Sequence, residues 1–328
     1  MLEFVTTNNL ADILGVSYAT IDKWVENGTL RLEKNVLGQN GFGALSLMGI
    51  KPIEEMMNTH WNDELNIRPK RVFTSVELFA GAGGLALGME KAGFKHVLLN
   101  EVNHHACETL RKNRPGWNVV EEDIHDISFE SLNGKVDFLS GGFPCQAFSY
   151  AGNKGGFNDT RGTLFFELAR AVKEIRPRVF MGENVKGLLT HDNGRTLETI
   201  KNTIEELGYT LVEPKVLKAI MYQVPQKRER LILIAIRNDF ASKVSFKWPD
   251  PYERVVTLRD AFYKGLLYDC DVPNSEGQKY PQRKKRNHGY GSYGWVLERF
   301  ANRNSKRVYE VKLFHGGRQD RNGKAFAY

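Results

Sequence analysis

Val72-Phe73-Thr74-Ser75-Val76-Glu77-Leu78-Phe79-Ala80-Gly81-Ala82-Gly83-Gly84 decides the fold. Val72 to Leu78 has the apolar and β-branched residues of a buried strand. It runs into a glycine turn and then into Leu85 to Ala92, which has helical spacing. Glycines at such a junction let the backbone turn tightly and approach a ligand closely. The turn alone would equally suit a dinucleotide site.

Further along the chain, strand-like and helix-like runs alternate. Val97-Leu98-Leu99 reads as a strand ending at Glu101, His105 to Asn113 as a helix, and Val119-Val120 as a strand leading to Asp123. Val136 to Leu139, Val179 to Met181 and Leu231 to Ile236 are further strands, with helices over Thr163 to Ile175 and Thr196 to Leu207. This alternation predicts an α/β fold with a doubly wound, mostly parallel sheet. Ligands of such sheets bind beyond the carboxyl ends of the strands. Every chemistry-bearing motif falls at a strand end, which predicts one site. The motifs are the glycine turn, Glu101, Asp123, Gly142-Phe143-Pro144-Cys145-Gln146-Ala147 with Ser149, Glu183-Asn184-Val185 and Gln226-Lys227-Arg228-Glu229-Arg230.

The 328 residues include 46 Lys and Arg against 39 Asp and Glu, a formal charge of +7, and 41% are hydrophobic. That length can bury a sizeable core in one large domain or two. The positive charge fits a polyanionic partner, although a solvated basic face would look the same. Lys279, Arg283, Lys284, Lys285 and Arg286 concentrate it, and phosphate neutralisation by such residues would make binding steeply salt-dependent. No apolar run approaches the ~20 residues that cross a bilayer, and Met1-Leu2-Glu3-Phe4 does not open a secretory signal. Cys107, Cys145 and Cys270 show neither CxxC spacing nor clustering with His, which argues against a disulfide framework or a metal site. A reducing cytoplasm is expected, where a catalytic thiol stays usable.

The first thirty residues read as a separate all-α unit. Asn9 to Leu14 and Ala19 to Glu26 have helical spacing, Gly15-Val16-Ser17 makes the turn with Ser17 as N-cap, and Asn27-Gly28 closes the second helix. This pair is similar to a helix-turn-helix of the excisionase and MerR-like kind, whose second helix enters the major groove. A helical hairpin that serves only as a docking surface is the alternative. Residues 31–71 read as a connector, flexible at Gly38, Gly41 and Gly43. The catalytic domain is expected over 72–250 and the start of a target-recognition region over 251–328.

The order and spacing of the motifs from about Phe73 to about Trp248 resemble the DNA (cytosine-5) methyltransferase family, of the kind found in bacterial restriction-modification systems. The resemblance implies the sheet of S-adenosylmethionine-dependent methyltransferases, that cofactor, and double-stranded DNA as partner. Cys145 would be the nucleophile that adds to C6 of a flipped-out cytosine, since the thiolate is the attacking form. Glu183 would donate a proton or strong hydrogen bond at N3 as charge develops there. Arg230 would hold the pyrimidine carbonyl or Glu183, and Arg228 would support the catalytic loop. Phe79, Gly81, Gly83, Gly84, Glu101, Asp123, Ile124, Pro144 and Leu164 would form the cofactor pocket, with Glu101 on the ribose hydroxyls, Asp123 on the adenine amine and Ile124 on its ring. Gln146, Ser149 and Arg161 would contact DNA, Arg161 from a glycine-rich loop over 152–162 that closes on the extruded base.

Three residues depart from the family pattern: Val102 stands where an aromatic usually follows the glutamate, Gly182 where a leucine usually precedes Glu183, and Gln223 where a glycine usually precedes Val224-Pro225-Gln226. The family's two C-terminal motifs are not legible, and the resemblance fades near Lys285-Arg286. One half of a split enzyme, completed by a second polypeptide, and a truncated product are the two readings of that end. A DNA-binding regulator with an inactive methyltransferase body is the rival function. A nicotinamide dehydrogenase would leave Cys145-Gln146 without a role.

Overall fold

The computed structural model describes residues 2–36, 38–144 and 164–257, and four strands further on. The chain divides into two compact units, residues 1–266 and 267–328. The first opens with β1 (Phe4–Thr6), α1 (Thr7–Leu14), α2 (Tyr18–Glu26), β2 (Glu33–Lys34), β3 (Asn40–Gly43), α3 (Lys51–Met57) and α4 (Trp61–Leu65). The two helices and their turn form as predicted. Ser17 Oγ accepts the Thr20 N–H at 3.2 Å, and Gly15 ends α1 with φ of 73°.

The expectation of an all-α unit ending at residue 30 is corrected. β1, β3 and β2 make a three-stranded antiparallel sheet, in which Phe4 lies opposite Gly43 and Thr6 opposite Gly41. Of the glycines read as flexible, Gly41 is the one that lets β3 lie against β1. A Cβ on Gly41 would stand 2.3 Å from the Val5 carbonyl oxygen and 2.6 Å from the Phe4 ring. The core of this unit runs from Leu10, Ile13 and Ile21 on through Phe42, Leu47, Ile53 and Met56, and Ile220 and Met221 complete it. The supposed connector is therefore part of a packed core.

The main sheet has eight strands. In chain order its elements are β4 (Phe73–Leu78), α5 (Gly84–Lys91), β5 (Phe94–Asn100), α6 (His104–Asn113), β6 (Val119–Val120), β7 (Phe138–Gly141), α7 (Leu164–Ile175), β8 (Val179–Val185), α8 (Arg195–Glu206), β9 (Tyr209–Leu211), β10 (Lys215–Lys218), β11 (Glu229–Arg237) and α9 (Asn238–Ala241). The spatial order is β10-β11-β8-β7-β4-β5-β6, with β9 also beside β11. Strands β6, β5, β4, β7 and β8 are parallel, and β11 is antiparallel to β8. The doubly wound sheet is thus as predicted, with β9 and β10 added as a short, interrupted edge.

Burial explains the arrangement. Phe165, Leu168, Val172 and Ile175 are buried on α7 and pack on the sheet with Val76, Leu139, Phe180 and Leu233. Each such fully buried large side chain stabilises the fold by about 1.5–3 kcal/mol. From β4 the chain winds to β5 and β6 on one side and to β7 and β8 on the other. The switch point, where ligands of such sheets bind, therefore lies between the carboxyl ends of β4 and β7. The second unit contains two antiparallel pairs, β12 (Leu297–Ala301) with β13 (Arg307–Val311) and β14 (Arg318–Gln319) with β15 (Ala325–Phe326).

One carboxyl group sits inside the sheet. Glu77 is 2% exposed and pairs in register with Ser140 on β7. It accepts a hydrogen bond from the Ala86 N–H in the first turn of α5, a helix whose N-cap, Gly83, has no side chain to offer. Burial pushes its pKa up to about 8. The native state therefore keeps this proton where the unfolded chain, with a pKa near 4.5, has lost it. The associated stability is fully present below pH 4.5 and is lost as pH rises through 8. Urea midpoints should show Glu77→Gln close to wild type at pH 4.5 and increasingly more stable than wild type up to pH 8.

Candidate active site

The alternation of β8 and its antiparallel pairing with β11 bring an acid and two bases together. Glu183 is the third residue from the end of β8, and β11 begins where β8 ends, with Arg230 opposite Val185. Arg230 Nε lies 2.8 Å and Arg228 Nη2 3.6 Å from Glu183 Oε1. The three side chains are partly exposed, so the group is reachable from solvent.

The segment leading to Cys145 passes directly beside this acid. A Cβ on Gly142 would stand 3.3 Å from Glu183 Oε2, so the glycine is what lets the loop run so close. Asn184, 3% exposed, donates from Nδ2 to the Phe143 carbonyl oxygen at 2.8 Å, and its Oδ1 accepts the Val185 N–H at 2.8 Å. Sequence reasoning quoted Asn184 but gave it no task. Its only signal there was adjacency to Glu183, because its partner is a backbone oxygen 41 residues away. Phe143 is buried and its ring centroid lies 5.2 Å from that of Phe165. No open space lies at Gly182, since a Cβ there would meet the Phe143 ring at 3.3 Å and Leu233 at 3.5 Å. Pro144 is exposed at the end of this stretch. Cys145, Gln146, Ser149, Arg161 and the loop over 152–162 lie outside the described residues.

The glycine turn follows β4. Phe79 opens it with φ of 58°, a left-handed conformation rare for a bulky residue and common at ligand sites. The Gly81 N–H donates to Glu101 Oε2 at 2.7 Å, and the Asn103 N–H donates to Glu101 Oε1 at 2.8 Å. Glu101 thus ties the turn to the end of β5, and each of its oxygens retains acceptor capacity. A Cβ on Gly81 or Gly84 would meet nothing within 4 Å. Gly83 serves packing, because a Cβ there would stand 2.6 Å from Leu110 and 3.3 Å from Trp117. Asp123, half-exposed beyond β6, accepts the His125 N–H at 3.0 Å and faces that ring at 2.6 Å; these bonds hold its carboxyl below the usual range. Ile124 is buried, with its carbonyl oxygen accepting from Arg170 at 2.7 Å. Leu164 stands half-buried at the start of α7, and Val102 is exposed. Cys107 is buried, donates to the Glu101 carbonyl at 3.3 Å, and burial pushes its thiol up, which makes it inert. Among the described residues no group of His, Cys, Asp and Glu could hold a metal ion.

The model of C-5 cytosine-specific DNA methylases matches residues 73–326, and the chain belongs to that family. Its reaction class is methylation of cytosine at C5 in DNA, so its substrate class is double-stranded DNA. The chain is 58% identical over 285 residues to the Escherichia coli Type II methyltransferase M.Eco47II, covering 86% of this chain and 68% of that protein. It is 50% identical over 310 residues to M.PspPI of Psychrobacter, covering 94% and 74%. A solved Escherichia coli prophage-encoded DNA modification methyltransferase is 30% identical, with a TM-score of 0.48, covering 58% of this chain and 54% of that one. The family match runs past Lys285-Arg286, where the resemblance fades in the sequence, and continues to residue 326.

Gln223 also has a left-handed backbone, with φ of 61°. A non-glycine residue there costs about 1 kcal/mol, so Gln223→Gly should raise stability by about that amount in urea unfolding. Asn184→Leu removes the buried hydrogen bond to the Phe143 carbonyl oxygen, and it should lower stability by about 1 kcal/mol and slow DNA methylation, read as tritiated methyl incorporation.

Proposed function

We propose that this chain transfers a methyl group from S-adenosylmethionine to C5 of a cytosine extruded from duplex DNA, with Cys145 as nucleophile, in a bacterial restriction-modification system. The observation that supports this best is the Glu183–Arg230 contact beside the Gly142-Phe143-Pro144 segment, one residue before Cys145. S-adenosylmethionine, when bound, supplies an electrophilic methyl on sulfonium. The residues present fit it: open space at Gly81, the Phe79 ring, the Glu101 carboxylate and the exposed Asp123 carboxylate line up at the ends of β4, β5 and β6.

The chemistry follows from the acid and the thiol. Cytosine C5 is a weak nucleophile until a thiolate adds at C6. That addition forms an S–C6 bond and pushes the ring electrons towards N3, where Glu183 donates a proton. Arg230 holds the Glu183 carboxyl in place, and Arg228 approaches the same oxygen. C5, now enamine-like, takes the methyl group. Return of the N3 proton to Glu183, loss of the C5 proton to water and expulsion of the Cys145 thiolate restore the aromatic ring. Extrusion of the base costs a few kcal/mol, which contacts from Gln146, Ser149 and Arg161 would offset. The rival reading, a regulator with an inactive methyltransferase body, is not favoured, because Cys145, Glu183, Arg228 and Arg230 are all present. A second polypeptide that completes the recognition region remains part of the proposal.

Duplex DNA substituted throughout with 5-fluorocytosine traps the S–C6 bond, since fluorine cannot leave as the proton does. Incubated with S-adenosylmethionine, the chain should give a denaturant-resistant adduct, either alone or mixed with the product of the adjacent reading frame. Cys145→Ala should abolish it. No adduct in either mixture would refute the activity.

A further inference from the structure

The N-terminal unit grips the strand that carries the two arginines. Its core is completed by Ile220 and Met221, just upstream of the arginine segment, with Tyr222 and Val255 packed against it. Residues 227–230 enter β11 with side chains that alternate in direction. Arg228 and Arg230 reach Glu183. Lys227 and Glu229 reach the opposite way. Lys227 Nζ lies 2.6 Å from Asp12 Oδ1 and 3.0 Å from the Tyr18 hydroxyl, and 5.4 Å from the centroid of that ring. Lys218 Nζ donates to the Ile13 carbonyl oxygen at 2.7 Å and lies 3.6 Å from Glu229 Oε1. A Cβ on Gly15 would stand 3.0 Å from that same nitrogen. Both sequence neighbours of Arg228 are thus engaged, directly or through Lys218, by α1, α2 and the turn between them.

We propose that Asp12 and Tyr18 are positioning residues for methyl transfer: by holding Lys227 they fix the segment from which Arg228 and Arg230 approach Glu183. The proposal rests on the catalytic reading of Glu183 and the arginines given above. Two observations favour it over a DNA-reading role for α2. Tyr18, the first residue of that helix, is already committed to Lys227. The unit itself is acidic, with seven Asp and Glu against four Lys and Arg over residues 2–57, so it has little to gain from phosphate contacts. Asp12 is only 19% exposed, so removing its partner leaves a largely buried carboxylate uncompensated.

The test is the single-turnover rate of adduct formation on 5-fluorocytosine DNA, in whichever mixture gives an adduct with the wild-type chain. A wild-type chain that gives none refutes the catalytic reading, and the positioning role falls with it. Given a wild-type adduct, Asp12→Ala and Lys227→Met should each slow its formation about fivefold, the rate equivalent of the ~1 kcal/mol upper value for an ion pair with one exposed partner. The KM for S-adenosylmethionine should not change. The exchanged pair Asp12→Lys with Lys227→Asp should recover most of the rate, and Tyr18→Phe should show a smaller loss. Wild-type rates in the single variants would overturn the proposal. So would an exchanged pair that keeps the wild-type unfolding midpoint but stays as slow as the singles, or an Asp12→Ala chain whose only change is tighter DNA binding. Should Asp12→Ala fail to fold, Lys227→Met and Tyr18→Phe decide the question.

Discussion

The contact between Glu183 and Arg230 is the constraint around which the rest of the molecule is arranged. It requires the end of a parallel strand and the start of an antiparallel one to meet at the same edge, which is what the pairing of β8 with β11 provides. It also requires room for a third segment. Glycine at 142 lets the loop after β7 pass within van der Waals distance of the carboxylate, and Asn184 fastens that loop through the Phe143 carbonyl. A Cβ at 142 would stand 3.3 Å from Glu183 Oε2, so that carboxylate would have to give by a few tenths of an ångström. Gly142, Asn184 and Arg230 therefore set how the Gly142-Phe143-Pro144 segment and the carboxyl lie beside each other.

The cofactor side is built by a different device. Backbone N–H groups at Gly81 and Asn103 converge on the carboxylate of Glu101, so the glycine turn and the end of β5 are locked before any ligand arrives. Preorganisation of this kind lowers the ordering cost of binding. Beneath the turn, Glu77 caps α5 from inside the sheet and is held in its neutral form by burial. A second charge under the pocket would be costly in that environment.

Much of this was legible in the sequence. Alternating strands and helices gave the doubly wound sheet, and motifs at strand ends marked one site, because hydrophobic periodicity and glycine turns are local signals. What stayed hidden was non-local. The pairing of Phe4 with Gly43 and the fit of Gly41 against the Phe4 ring turned an apparent flexible linker into a strand, and no local pattern announces that. Asn184 was visible as a neighbour of Glu183, but its task depends on a carbonyl in another loop. The left-handed backbone at Gln223 was foreshadowed by the glycine usual at that position. The edge formed by β9 and β10 was missed because both are short and half-buried, with no apolar run to mark them.

The way Ile220, Met221 and Val255 close the N-terminal core has a consequence for how the chain matures. Those residues leave the ribosome roughly 200 residues after the helices they cover, a wait of about 10–40 s at usual elongation rates. Until then Leu10, Ile13 and Met56 lack part of their cover. The first segment to be translated is thus among the last to reach its final packing, and during synthesis its own helices and small sheet are its cover.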